Sequence, residues 1–470
     1  MDNPRKTNRV LEENTLAILD SSGIRDHRDV HDDRLCFLEA VRSASLISGS
    51  SAVPTWKMYN AVFHILRDAT SLEEAMTSFQ LLIELEKCYP RLYLVDQQKS
   101  GSSLSRACEL VVVKEAWSPF ITGQESVHIE GEGTLRSTEE LLDASGFSLL
   151  TQEIAQAASS LDCQLRLKLL KDMLLFQYLV EYLEGDFILR QTVYKETMNW
   201  VLLRESWLNM LLASRKINFR NFVRDCMLII HGRFGHHAKG DLHDLQKVKT
   251  CLRKTVNDHD ATSAIAMSEL EKKTCSAVEK LLTVIMELDI HKKEADIQGC
   301  TSRADTVRIP LLEIIVDELS YDKDAISPFL QGFSEPKWKL EIVLQYFWKY
   351  CNKSSVRTRR SNDSPDDATF EAVLKYFSNA ANTRSLVRRM SAEVTQLLLA
   401  HAFQAYLSLQ HGLKLVENNG ETSRDNPLLQ ISKDLISAFE NIKKNDADMD
   451  ILPFETEALF TAATILALGS

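Results

Sequence analysis

One stretch constrains this chain more than any other, residues 164–234. Between 165 and 183 the apolar positions are Leu165, Leu167, Leu169, Leu170, Met173, Leu174, Leu175, Phe176, Leu179, Val180 and Leu183. They cover most of a helical circumference rather than one stripe, so a helix here cannot lie on a surface. After Gly185, residues 194–214 read as a second helix with two apolar sides, Tyr194, Thr197, Val201, Leu208 and Leu211 on one and Trp200, Leu203, Trp207 and Met210 on the other. A third helix, 219–230, presents Phe219, Phe222, Val223, Cys226, Met227 and Ile230, and the short link 216–218 returns it against the second. Burying a large apolar side chain is worth roughly 1.5–3 kcal/mol, so leaving four of them in water forfeits about 6–12 kcal/mol, the scale of a whole domain's stability. Helices on either side must therefore pack on this block, which becomes the middle of a continuous helical stack.

The rest of the chain has to supply those helices, and its composition allows it. Its 470 residues carry only 16 Gly and 10 Pro, falling mainly between apolar-periodic segments. The expected fold is all-α. Residues 1–10 read as a disordered tail, and 11–470 as one elongated helical stack, or two lobes with a loop-rich join near 232–241 and a basic linker at 352–366. Helices are expected near 33–47, from Pro54 through Leu66, and from a Ser71/Glu74 capping box through Leu85. The run 110–113 is compatible with a strand, but a helix leading to Trp117 and Phe120 is preferred. Residues 96–106 and 122–136 read as loops, and Ser137/Glu140 as a second capping box. Later helices are expected near 242–256, 262–288, 310–319, 327–333, 338–351, 369–377, 392–409, 428–442 and 455–468, with a polar loop at 412–426. Without a fixed-period consensus, an irregular armadillo/HEAT-like stack of helical hairpins is the architecture left.

Charge and cysteine usage narrow the function classes. The formal net charge is −11, whereas a protein devoted to coating DNA phosphates is usually basic. Nine cysteines lie scattered without a C-x-x-C pair, several on apolar helix faces, which points to reduced core thiols in an intracellular protein. No apolar run approaches a membrane span, and 1–9 lacks the apolar core of a signal peptide.

Searches for chemistry return little. His231, His236, His237 and His243 cluster around one loop, but no Cys pair or H-E-x-x-H helix accompanies them, so a solvated loop is the better reading. Asp317, Glu318, Asp322 and Asp324 surround Tyr321 without a calcium-loop pattern, and read as solvated helix ends. No nucleophile elbow, Walker A loop or dinucleotide fingerprint occurs. The residues nominate no catalytic site, cofactor, metal or small-molecule substrate.

A basic tract stands out against the acidic background. From 337 to 360, Lys337, Lys339, Lys349, Lys353, Arg357, Arg359 and Arg360 face the single acid Glu341, and Arg384, Arg388 and Arg389 follow. Sign segregation of this kind serves phosphate contact, nuclear import or an acidic protein partner, and is also what a solvated inter-helix linker looks like. The candidate contacts are Lys353, Arg357, Arg359, Arg360, Arg388 and Arg389. Trp117, Trp200, Trp207, Trp338 and Trp348 read as core, with Trp56 the exposed one.

With these residues in view, the chain resembles the plant negative regulators of systemic acquired resistance. The resemblance is carried by 12–19 (EENTLAIL), 115–120 (EAWSPF), 196–219 (ETMNWVLLRESWLNMLLASRKINF), 285–319 (IMELDIHKKEADIQGCTSRADTVRIPLLEIIVDEL), 336–346 (PKWKLEIVLQY), 356–360 (VRTRR) and 451–462 (ILPFETEALFTA). It implies a nuclear, armadillo-like, non-catalytic scaffold that represses pathogenesis-related genes. It also implies a role similar to that of Nse-type subunits in the DNA-repair structural-maintenance-of-chromosomes complex, with a second Nse-type helical subunit and the ATPase complex as partners. Direct promoter DNA binding through 337–389 is the alternative; no recognition module accompanies that patch, so any DNA contact there is expected to be non-specific.

Overall fold

The computed structural model describes residues 13–19, 27–47, 53–96, 108–113, 116–121, 141–159, 166–232, 258–302, 305, 308–351, 369–416, 427–445 and 452–469. The chain divides into two compact units, Met1–Arg308 and Ile309–Ser470. Both are helical, which agrees with the all-α reading. No helix among the described residues is long and apolar enough to cross a membrane.

Unit 1 begins with α1 (His27–Arg42), which runs into a π-helical turn, Ser43–Ile47. Helices α2 (Trp56–Asp68) and α3 (Leu72–Cys88) follow as a hairpin. Thr55 Oγ1 accepts from the Met58 amide at 3.4 Å, and Ser71 Oγ accepts from the Glu74 amide at 3.1 Å, so each helix starts on a side-chain cap. The capping box is not reciprocal. The wholly buried Glu74 carboxylate instead accepts from the Thr70 amide at 2.8 Å and Arg34 Nη1 at 3.2 Å, and lies 2.7 Å from His31 Nδ1. Burial alone raises its pKa, but these partners bring it below the ordinary value and staple α1 to α3.

The chain then pairs β1 (Leu92–Asp96) with β2 (Cys108–Val112) as an antiparallel ribbon, with Leu92 opposite Val112 and Leu94 opposite Leu110. This corrects the helix preferred for 110–113. A run of β-branched residues pairs readily once a partner is available, and Leu92, Tyr93, Leu94 and Val95 provide one, with Leu92 buried and Tyr93 and Val95 outward.

Helix α4 (Ala144–Ser159) leads to α5 (Arg166–Thr197), 32 residues in which Gly185 causes no break. The expected halt after Gly185 is overridden by packing: α3, α4, the β ribbon and the later helices all rest on α5, and these contacts outweigh the ~1 kcal/mol propensity cost of one glycine. The single helix expected at 194–214 is instead three pieces. Met198 adopts φ 53°, and Asn199 and Ser206 cap two short helices, α6 (Trp200–Arg204) and α7 (Trp207–Leu212). Helix α8 (Phe219–His231) packs chiefly on α4.

Helix α9 (Asp258–Ile297) spans 40 residues, ~60 Å at 1.5 Å per residue. It lies along α5 in a parallel sense. Gln177 Nε2 donates to Thr274 Oγ1 at 2.9 Å, Glu184 pairs with Lys280 at 3.0 Å, and Gln191 Nε2 lies 2.8 Å from His291 Nε2. The α5 members are seven residues apart, so one polar contact recurs every two turns along an apolar seam.

In unit 2, α10 (Leu311–Tyr321) and α11 (Ile326–Gly332) lead into α12 (Pro336–Cys351). Further along the chain come α13 (Phe370–Phe377), α14 (Ala380–Met390), α15 (Ala392–Val416), α16 (Pro427–Lys443) and α17 (Pro453–Gly469). Helix α15 contacts α11, α12, α14, α16 and α17, and the core is built from Phe329, Phe333, Tyr346, Phe347, Phe377 and Phe403. Helix α14 was not expected, and α15 continues past Gly412 into the segment read as loop. Residues 1–12, 122–140, 233–257, 352–368 and 417–426 lie outside the described residues, and with them the tail, the Ser137/Glu140 box, the helix near 242–256, both proposed joins and most of the last loop.

Candidate functional site

Of the six candidate contacts, Lys353, Arg357, Arg359 and Arg360 lie outside the described residues. Arg388 and Arg389 are exposed in the last turn of α14. That helix is started by Asn379, whose Oδ1 accepts from the Ala381 and Asn382 amides at 2.9 and 3.3 Å, and is anchored by buried Thr383, Leu386 and Met390. Arg389 Nη1 donates to the Tyr350 carbonyl at 2.9 Å in the last turn of α12. Lys323 Nζ in turn donates to the Arg389 carbonyl at 3.3 Å. Two cations thus sit at helix C-termini, where unsatisfied carbonyls carry partial negative charge. Lys349, the residue before Tyr350, pairs with Asp317 at 2.8 Å. The last described residues of the basic tract's first part, Tyr350 and Cys351, thus lie beside Arg389.

The acidic cluster behaves as solvated helix ends. Asp317 is held by Lys349, and Asp322 Oδ1 accepts from the Asp324 amide at 3.1 Å. His231 ends α8, while His236, His237 and His243 lie outside the described residues. Among the described residues no group of three or more His, Cys, Asp or Glu is placed to hold a metal. Trp56 is 41% exposed, whereas Trp117, Trp200, Trp207 and Trp338 are buried.

A site that sequence reasoning passed over lies in unit 1. A cleft of about 210 Å³ opens between the end of α3, the turn before β1 and the face of α5 that carries Tyr178, Tyr182, Gly185, Asp186 and Leu189. The spacing of those five residues places them on one side of α5. Asp186 Oδ1 accepts from Arg190 Nε at 3.2 Å, and Oδ2 accepts from the Trp207 amide at 2.9 Å. Burial still pushes the Asp186 carboxyl up, in spite of Arg190 and that amide. Across the cleft, burial pushes Glu86 up to about 7, opposed by the Arg91 amide and guanidinium and reinforced by the Asp186 charge. Arg91 lies 5.1 Å from the Trp207 ring centre and donates through Nη1 to the Tyr182 hydroxyl at 3.4 Å. Its Nε and the Tyr178 hydroxyl are buried without a hydrogen-bond partner. The signal in the sequence was faint: an Asp and an Arg four apart inside a helix whose apolar residues cover most of its circumference.

These features can be set beside known proteins. Residues 91–335 match the family model described as the SNI1 middle domain, and 351–470 match the SNI1 C-terminal domain. The chain is 41% identical over 460 residues to the negative regulator of systemic acquired resistance SNI1 of Arabidopsis thaliana, an alignment covering 97% of this chain and 94% of that protein. No solved structure matches. With both domain models matched and the alignment running nearly end to end, the chain belongs to the SNI1 family of negative regulators of systemic acquired resistance.

Proposed function

We propose that this protein is a non-catalytic nuclear scaffold subunit. In this reading it holds a second Nse-type helical subunit, docks both onto a DNA-repair structural-maintenance-of-chromosomes complex, restrains pathogenesis-related genes and supports homologous recombination. The near full-length identity to a negative regulator carries the defence part. The scaffold part is supported by how buried charge is used. The Glu74 carboxylate with Arg34, and Asp186 with Arg190, are tied to neighbouring elements; Arg308, paired with Asp289 at 3.1 Å, also covers the Phe219 ring at 4.6 Å. Each serves architecture. The test is affinity purification of the full chain from plant nuclei, followed by identification of stoichiometric partners. Recovery of an ATPase complex and a second helical subunit is expected, and recovery of neither defeats the reading.

The alternative, direct promoter DNA binding through 337–389, draws on the basic tract. Within its described part, Lys349 and Arg389 are committed to Asp317 and to the end of α12, while Arg388 is exposed. Substituting Arg357, Arg359 and Arg360 by Glu and measuring duplex affinity at two salt concentrations separates the readings. Unchanged DNA affinity with lost partner binding rules out the DNA version.

A further inference from the structure

Helix α17 packs on α15 and α16, and its sequence offers little to water on the opposite side. Its only charged residues are Glu455, which is buried, and Glu457, which is exposed. Phe460 is 74% exposed and Leu468 84%, and Ala463, Thr464 and Ala467, exposed as well, lie between them at helical spacing. That spacing puts all of them, with Glu457, on one face. The Thr464 hydroxyl donates to the Phe460 carbonyl at 2.8 Å, so its polar atom is used up inside the helix and the face is apolar from Phe460 to Leu468. A helix packed on one side is ordinarily polar on the other, and a contiguous apolar face marks a contact surface.

Shape and charge decide what covers it. A helix satisfies its own backbone groups, so α17 offers no ladder to an added strand. The small side chains between Phe460 and Leu468 leave a shallow notch, which suits the large side chains of a second helix laid alongside. A membrane surface is a poor match, since α17 has no lysine or arginine to meet anionic headgroups. A second copy of this chain brings a second Glu457, and its α17 has no cation to set against the first. Glu457 lies near the start of α17, so in an antiparallel pair it faces the partner's last turn, where that helix's own dipole favours lysine or arginine. The charge thus selects a different chain and its direction.

We propose that the exposed face of α17 docks one amphipathic helix of another protein, laid antiparallel, with large aliphatic side chains every three to four residues and lysine or arginine in its last turn. The proposal rests on the scaffold reading and names a surface on which a second helical subunit is held.

The test uses the full-length chain and fluorescence anisotropy with two labelled helical peptides, each about five turns long. Both carry leucine every three to four residues on an alanine and glutamine background; one ends in lysines, the other in glutamates. The lysine-ended peptide is expected to bind with a Kd on the order of 100 μM or below, and about fivefold more tightly than the other. Glu457→Lys is expected to invert that preference. Phe460→Ala is expected to weaken binding about tenfold, and Ala463→Arg to abolish it by filling the notch. Both positions are exposed, so neither change is expected to lower Tm. No binding of the lysine-ended peptide up to about 1 mM, binding that survives Ala463→Arg, or a preference that Glu457→Lys leaves unchanged overturns the proposal. So does a dimer of the chain alone that Phe460→Ala dissociates in sedimentation, or binding to phosphatidylcholine vesicles that Phe460→Ala abolishes. The peptides need no purified subunit, so their failure removes this surface, while the nuclear purification decides the scaffold reading by itself.

Discussion

Asp186 and Arg190, one turn apart on α5, form an ion pair of 3.2 Å that is almost wholly withdrawn from water, the two residues being 4% exposed each. The pair is held at both ends, since Asp186 also accepts the Trp207 amide and Arg190 Nη1 donates to the Leu202 carbonyl at 3.1 Å. It ties α5 to the two short helices that follow it.

Removing one partner should cost more than removing both. Arg190→Met leaves a buried carboxylate without its cation, a loss of about 3–5 kcal/mol. Adding Asp186→Leu to that variant should restore part of the loss, because the uncompensated charge has gone. Denaturant unfolding of both single variants and the double gives the coupling; strictly additive losses would show that the two groups do not interact.

Trp207→Ala should cost about 3–5 kcal/mol, the usual toll of truncating a buried aromatic. The ring is 4% exposed, lies 6.0 Å from the Phe120 ring and carries the Arg91 guanidinium on its face. A loss under about 1 kcal/mol by chemical unfolding would contradict that burial.

Glu86 makes stability depend on pH. Its folded pKa of about 7 lies above the ordinary value of 4.5, so between those values the folded protein keeps a proton that the unfolded chain has released. The contribution is fully present below pH 4.5 and is lost as pH rises through 7. Glu86→Gln should remove this slope and stabilise the protein above pH 7, by something on the order of 3 kcal/mol. Parallel Tm profiles of parent and variant across that window would refute the assignment.

His401 tilts stability the other way. It is 2% exposed, its ring lies 4.3 Å from that of Phe454, and neither ring nitrogen has a partner. Burial, helped by Lys339, lowers its pKa to about 3 from 6.5. The unfolded chain binds the proton first, so stability is present above pH 6.5 and falls as pH drops toward 3. The expected loss is roughly 2 kcal/mol by pH 5. His401→Phe should flatten that acid limb in thermal melts taken from pH 7 to pH 5.

Much of this architecture could be read from side-chain periodicity. Residues 165–183 announced a helix enclosed on all sides, and α5 is enclosed. Ser71 marked a helix start because capping is local chemistry, written within four residues. What went unread depends on distant partners. Val111 and Val112 become strand because Leu92 and Tyr93 lie opposite them, and no window around 110 contains that fact. Helix α14 hid because its buried face is only Thr383, Leu386 and Met390 among three arginines, an asparagine and a serine. The cleft was invisible for the same reason: Glu86 and Asp186 are one hundred residues apart, and each alone looks like a surface carboxylate.

The enclosure of α5 sets a limit on how unit 1 breathes. Backbone amides at its centre are shielded by helices from several directions, so deuterium reaches them only when the surrounding layers have peeled away. Their exchange should be the slowest in the unit and should report its global unfolding, while the β1–β2 ribbon labels early. Any ligand or partner that grips this unit would announce itself first at that clock.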